Sequence, residues 1–121
     1  MKENITQQKS YSFAIRIINL YRHLTKNKNE YILAKQVLRS GTSIGANVEE
    51  AIGGQSRKDF VSKLSVAYKE ARETQYWLKL LRDTDIITTN ESSSLLNDCE
   101  EIVRIIGKIQ TTIKTKSVSN L

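Results

Sequence analysis

The chain has 121 residues, one cysteine, one histidine, no proline and a formal net charge of +6. That length suits one core rather than two. The lone Cys99 and His23 exclude an internal disulfide and a Cys/His zinc cluster, and no stretch reaches the ~20 apolar residues of a membrane span.

With only five glycines to interrupt it, the chain reads as all-α. The first nine residues contain no apolar leader segment and are expected to fray, which fits a cytoplasmic protein. A first helix is predicted over residues 10–26, with Phe13, Ile17, Leu20 and Leu24 as its stripe and Ala14, Ile18 and Tyr21 widening it. His23 falls on its polar flank. The polar run Lys26, Asn27, Lys28 and Asn29 makes the first turn.

A second helix follows over residues 30–52. Tyr31, Ala34, Leu38, Gly41, Gly45, Val48 and Ile52 alternate steps of three and four, so both glycines fall on a buried seam as packing residues. Gln36, Ser40, Ser43, Asn47 and Glu50 form a small polar face opposite, and with Arg39 they are candidate packing or interface positions. A helix small on both sides is suited to being approached twice. Gly53 and Gly54 stop it.

Ser56 and Asp59 cap a third helix over residues 57–82, whose seam is Phe60, Leu64, Ala67, Ala71, Thr74, Leu78 and Leu81. Tyr76, Trp77 and Leu80 lie beside that seam, so Trp77 is a further candidate interface residue or a plug for one end of the core. Thr88 and Glu91 make a capping box for a fourth helix, with Leu95, Cys99, Ile102, Ile106, Ile109 and Ile113 on its seam. Residues 116–121 are expected to fray. Sustained three-four spacing with short connections gives a single-domain antiparallel up-down-up-down four-helix bundle.

The motifs of chemistry are missing. There is no Glu-x-x-His pair for a di-iron site, no Gly-Lys-Ser/Thr ending for a phosphate loop, and no histidine near Ser40 or Ser43 in sequence. No metal, cofactor or catalytic residue is predicted. Cys99, on an apolar seam, reads as a buried inert thiol. The positive charge is uneven: residues 1–29 carry six basic groups against Glu3, and residues 57–85 carry seven against five acids. Such a surface fits RNA or DNA, and it equally fits a domain charged for solubility alone.

Residues 35–51, Lys-Gln-Val-Leu-Arg-Ser-Gly-Thr-Ser-Ile-Gly-Ala-Asn-Val-Glu-Glu-Ala, closely resemble the hallmark of the bacterial four-helix-bundle family of 23S rRNA intervening-sequence proteins. Residues 60–78, Phe-Val-Ser-Lys-Leu-Ser-Val-Ala-Tyr-Lys-Glu-Ala-Arg-Glu-Thr-Gln-Tyr-Trp-Leu, resemble it too. The resemblance implies an antiparallel bundle assembled as a ring-like homopentamer, with no enzymatic activity. It also links the chain to the accessory protein of diversity-generating retroelements, which is thought to bind nucleic acid and a reverse transcriptase.

The leading expectation is a non-catalytic oligomer binding nucleic acid through Arg16, Arg22 and Lys26 of the first helix and Lys58, Lys69 and Arg72 of the third. The alternative is a protein-protein adaptor whose second helix and Trp77 dock a partner such as a polymerase. A hydrolase of unrecognised chemistry is a distant third. No membrane partner is expected.

Overall fold

Local chemistry sets each helix end in the structure, a computed structural model that describes residues 4–119, with side chains through Lys116. The helices are α1 (Ile5–Asn27), α2 (Ile32–Ile52), α3 (Arg57–Asp83) and α4 (Thr89–Ser119). The Asn4 side chain accepts the Gln7 N–H at 2.9 Å, so α1 opens at Ile5 rather than near residue 10. The buried residues of those early turns are Thr6 and Ser10, which a count of apolar positions does not register.

Asn29 takes a left-handed φ of 53°, which asparagine tolerates and which ends the first turn. Glu30 then accepts the Leu33 N–H at 2.7 Å and opens α2. Gly53 closes α2 at φ −82°, without the left-handed conformation usual for a terminal glycine. Space is the constraint at Gly54, where a Cβ would lie 3.1 Å from Asp59 Cβ and 3.2 Å from the Ala51 carbonyl oxygen. Ser56 accepts the Asp59 N–H at 3.1 Å, and Thr88 and Glu91 cap each other reciprocally at 3.0 and 2.7 Å, as their spacing predicts. α4 continues past Lys116, where the sequence predicts fraying, to Ser119; the predicted fraying at residues 1–3, 120 and 121 lies outside the described residues.

Paired contacts show that neighbours run antiparallel. Gly41 lies against Ile17 and Gly45 against Ser10; Ser40 meets Thr74 and Glu50 meets Lys63; Ala71 meets Cys99 and Tyr68 meets Gly107. Each helix packs on the next, α4 closes back on α1, and neither diagonal pair comes within 8 Å Cα to Cα. The core is Phe13, Ile17, Leu20 and Leu24 of α1 with the inward residues of the other three helices.

The seam of α2 differs from the sequence reading. Its buried residues are Ala34, Val37, Ser40, Gly41, Ile44, Val48 and Ala51, while Gly45 and Leu38 are half-buried and Tyr31 and Ile52 are exposed. The helix is approached on two sides, so its buried arc swings past the simple apolar line and takes in Ser40. The Ser40 and Thr74 hydroxyls are hydrogen-bonded at 2.9 Å, and Thr74 Oγ1 is 2.8 Å from the Glu70 carbonyl oxygen. Both visitors belong to the same chain: α1 lies over the glycines and α3 over Ser40.

The glycines let α1 come close. A Cβ on Gly41 would stand 2.7 Å from Ile17 Cγ1, and one on Gly45 would stand 3.3 Å from the Ser10 carbonyl oxygen. α1 therefore packs far more extensively on α2 than on α4. Across the looser α4 side, long side chains bridge the gap: Lys9 to Glu101 at 2.9 Å, Arg16 to Asp98 at 2.5 Å and His23 to Glu91 at 2.9 Å. Each such part-exposed pair adds at most about 1 kcal/mol, against about 1.5–3 kcal/mol for burying one large apolar side chain. Burial of Phe13, Ile17, Leu20 and Leu24 holds α1 in place, and the Lys9–Glu101 and Arg16–Asp98 ion pairs tie it to α4.

Gly41→Leu should overpack this contact and lower stability by about 1–3 kcal/mol. Gly53→Ala, where only the Glu49 carbonyl oxygen stands near at 3.5 Å, should change it by less than about 0.5 kcal/mol. Urea denaturation of the two variants measures the contrast.

Candidate nucleic-acid interface

α3 carries two opposed stripes of identical spacing. Leu64, Ala67, Ala71, Thr74, Leu78 and Leu81 are buried. Lys58, Ser62, Ser65, Lys69, Arg72, Tyr76 and Lys79 step four, three, four, three, four and three along the other side, and all but the half-buried Ser65 are exposed. At ~1.5 Å per residue this outward line is roughly 30 Å long. It contains four cations and no carboxylate.

The acids of the same span are turned elsewhere. Glu70 and Glu73 face α2, where Arg39 pairs with Glu70 at 3.1 Å and with Glu73 through its other terminal nitrogen. Asp59 sits against Gly54 in the α2–α3 turn. Arg39 thus draws both carboxylates toward α2 and offsets one of their two negative charges. Glu73 also accepts the Trp77 indole N–H at 3.0 Å, and Trp77 in turn meets the Tyr76 ring edge-on with centroids 5.1 Å apart and planes at 70°. Tyr76 itself is 56% exposed.

Of the predicted contacts, Lys58, Lys69 and Arg72 share this line, with Arg72 donating to the Tyr68 hydroxyl at 3.4 Å. Arg22 and Lys26 are exposed on α1, the helix diagonally opposite α3, so the six residues do not form one patch in a protomer. Arg16 is turned into the α1–α4 seam, bonded to Asp98 and to the Ser94 hydroxyl at 3.0 Å. Beside Lys58, a groove of about 970 Å³ opens between α3 and α4, lined by Val61, Leu64, Tyr68 and Ile113 with Lys58 and Lys114 among its polar residues.

The α2 positions mostly serve the bundle. Arg39, Ser40 and Glu50 engage α3, the last through Lys63 at 3.2 Å, while Gly41 and Gly45 receive α1. The Ser43 hydroxyl donates to the Arg39 carbonyl oxygen at 2.6 Å and the Asn47 amide to that of Ser43 at 2.8 Å, both within α2. Trp77 is half-buried against the core. Lys79 escaped the sequence reading, although one further step of the same spacing beyond Tyr76 reaches it. So did Tyr11 and Ile15, 67% and 47% exposed, which with Ile18, expected to widen the buried stripe but 37% exposed, form an apolar line on the outside of α1 at steps of four and three.

Among the described residues, no group of three His, Cys, Asp or Glu side chains is placed to hold a metal ion, and no helix is long and apolar enough to cross a membrane. Cys99 is fully buried, its thiol donates to the Ala71 carbonyl oxygen at 3.3 Å, and burial pushes its pKa up to about 12. The hydrogen bond from the Thr88 backbone N–H, with lesser help from the Thr88 hydroxyl, His23 and Lys28, holds the Glu91 carboxyl below its ordinary value against the opposing effect of burial.

Residues 2–108 match the family model described as 23S rRNA-intervening sequence protein. A solved structure of a protein of unknown function from the S23 ribosomal protein family of Bacteroides thetaiotaomicron is 50% identical and superposes with a TM-score of 0.88, covering 92% of this chain and 99% of that one. No curated protein matches the chain.

Native protein should leave Cys99 unreacted with a thiol-specific chromogenic reagent, and one thiol per chain should appear on unfolding. Glu91→Ala should cost about 0.5–2 kcal/mol at neutral pH through the lost cap. Because the folded pKa of Glu91 is depressed, its carboxylate stabilises the fold above the ordinary value of 4.5, and that contribution is lost as pH falls through the folded value. Denaturation curves at neutral pH and in acid should show the gap between wild type and variant narrowing in acid.

Proposed function

The chain belongs to the 23S rRNA-intervening sequence protein family, and we propose that it is a non-catalytic, oligomeric bundle that binds RNA or DNA through the outward face of α3. The observation that carries this reading is the alignment of Lys58, Lys69, Arg72 and Lys79 on one exposed line, with the neighbouring Glu70 and Glu73 drawn toward α2 by Arg39. Phosphate contacts of this kind set affinity without reading sequence, so binding is sequence-tolerant.

Assembly strengthens the effect. The apolar line of Tyr11, Ile15 and Ile18 lies on the helix diagonal to α3, so the surface it offers to a neighbouring subunit is separate from the basic line. In a closed homopentamer the formal charge of +6 per chain is multiplied fivefold, which turns a modest patch into an extended attractive field. The same apolar line favours a second reading, a protein adaptor, since steps of four and three are those of a helix docking into a partner's groove. Small-polar α2 contributes less to that reading, because α3 covers its Ser40 side.

Replacing Lys58, Lys69 and Arg72 together by Gln should weaken binding to all sequences alike and flatten the dependence of log affinity on log salt by about 0.9 per lost duplex contact, or about 0.7 on single strands. Arg16→Gln should act on stability instead, because its guanidinium is engaged by Asp98. Fluorescence anisotropy at several salt concentrations, with circular dichroism as a control for folding, makes the comparison. A wild-type protein that retains neither RNA nor DNA at low salt would leave the adaptor reading in its place.

A further inference from the structure

An exposed aromatic ring in the middle of a row of cations is a different object from a row of cations alone. Tyr76 lies between Arg72, four residues before it, and Lys79, three residues after it, with Lys69 one turn further back on the same line. Its ring is more than half exposed, yet it is not loose. Trp77 packs edge-on against it, Glu73 holds the Trp77 indole N–H at 3.0 Å, and Arg39 from α2 holds Glu73. A chain of three interactions reaching back into the bundle therefore supports one side of the Tyr76 ring.

We infer that Tyr76 is a stacking platform for one base of a single-stranded nucleic acid, with Lys69, Arg72 and Lys79 taking the phosphates on either side. This rests on the nucleic-acid reading above and adds to it the strandedness of the ligand. Duplexes keep their base faces inside the stack, so an exposed ring on a convex helix surface has no base face to meet there. In single strands every base has a free face, and stacking on an aromatic side chain is tolerant of sequence. A ring supported by Trp77 has already lost part of the freedom that binding would otherwise remove. The cations are suitably free: among the described residues Lys69 has no ion pair, Arg72 contacts only a neutral hydroxyl, and Lys79 senses Asp83 one turn on.

The test uses the full-length protein with three labelled probes: a short oligothymidylate, the corresponding oligouridylate and a duplex of mixed sequence. Tyr76→Ala should weaken binding to the single strands roughly five- to 150-fold, the range expected for one lost base stack, and should leave duplex binding within about twofold. Tyr76→Phe, which keeps the ring, should stay within about twofold of wild type on every probe. The thymidylate and uridylate arms distinguish DNA from RNA as the preferred strand.

Trp77, the only tryptophan, supplies a readout that needs no variant: single strands should quench its emission at saturation and duplex should not. Single-strand binding unchanged in a folded Tyr76→Ala variant, or no quenching of Trp77 on saturation with oligothymidylate, overturns the stacking assignment. If Lys58, Lys69 and Arg72 still set the affinity in that case, the broader nucleic-acid reading survives it. Absence of binding to all three probes at low salt removes both.

Discussion

The close approach of α1 to α2 at Gly41 is the contact on which the arrangement of the bundle turns. Ile17 occupies the space that any side chain at residue 41 would need, and Gly45 lets the backbone at Ser10 come nearly as near. Leaning α1 toward α2 opens the opposite side, and the sequence fills that opening with side chains long enough to span it: Lys9, Arg16 and His23, seven residues apart, each facing an acid or its neighbour on α4. Arg16 is thereby spent on structure, and one of the bases expected to hold phosphate becomes part of a seam.

Charge on α3 follows a similar economy. Glu70 and Glu73 lie toward α2, where Arg39 reaches them, and the outward line of cations has no carboxylate within it. A net charge spread evenly over the surface would say little about function, whereas this one is sorted by helix face. Because α1 and α3 are diagonal, the molecule has an apolar outer edge and a basic outer edge on opposite sides. The proposed assembly and the proposed ligand use different edges, so one need not compete with the other.

Much of this was legible in the chain. Steps of three and four located Phe13 to Leu24 of the α1 stripe and Leu64 to Leu81 of the α3 stripe, though Phe60 is only half-buried and Thr6 and Ser10 were missed. The capping pairs Ser56/Asp59 and Thr88/Glu91 marked two helix starts correctly, because both signals depend on spacing within one helix. The seam of α2 was less legible. A helix with small residues on both sides carries no contrast in hydrophobicity to show how far its buried arc extends, so Ser40 read as polar surface when its hydroxyl is buried against Thr74. The candidate site divided along the same line. Lys58, Lys69 and Arg72 fall together by spacing within α3, but the separation of the α1 bases from them, and the loss of Arg16 to Asp98, depend on which helices are neighbours in space.

The two-sidedness of the molecule is the central claim, and Tyr11 and Tyr76 report on its two edges. Hydroxyl-radical footprinting of the native protein in solution, quantified at these two residues by mass spectrometry, measures both edges in one experiment. Assembly through the apolar edge predicts Tyr11 protected and Tyr76 reactive, although Tyr11 is the more exposed of the two in a single chain. A reactive Tyr11, or a protected Tyr76 in the absence of nucleic acid, would contradict it.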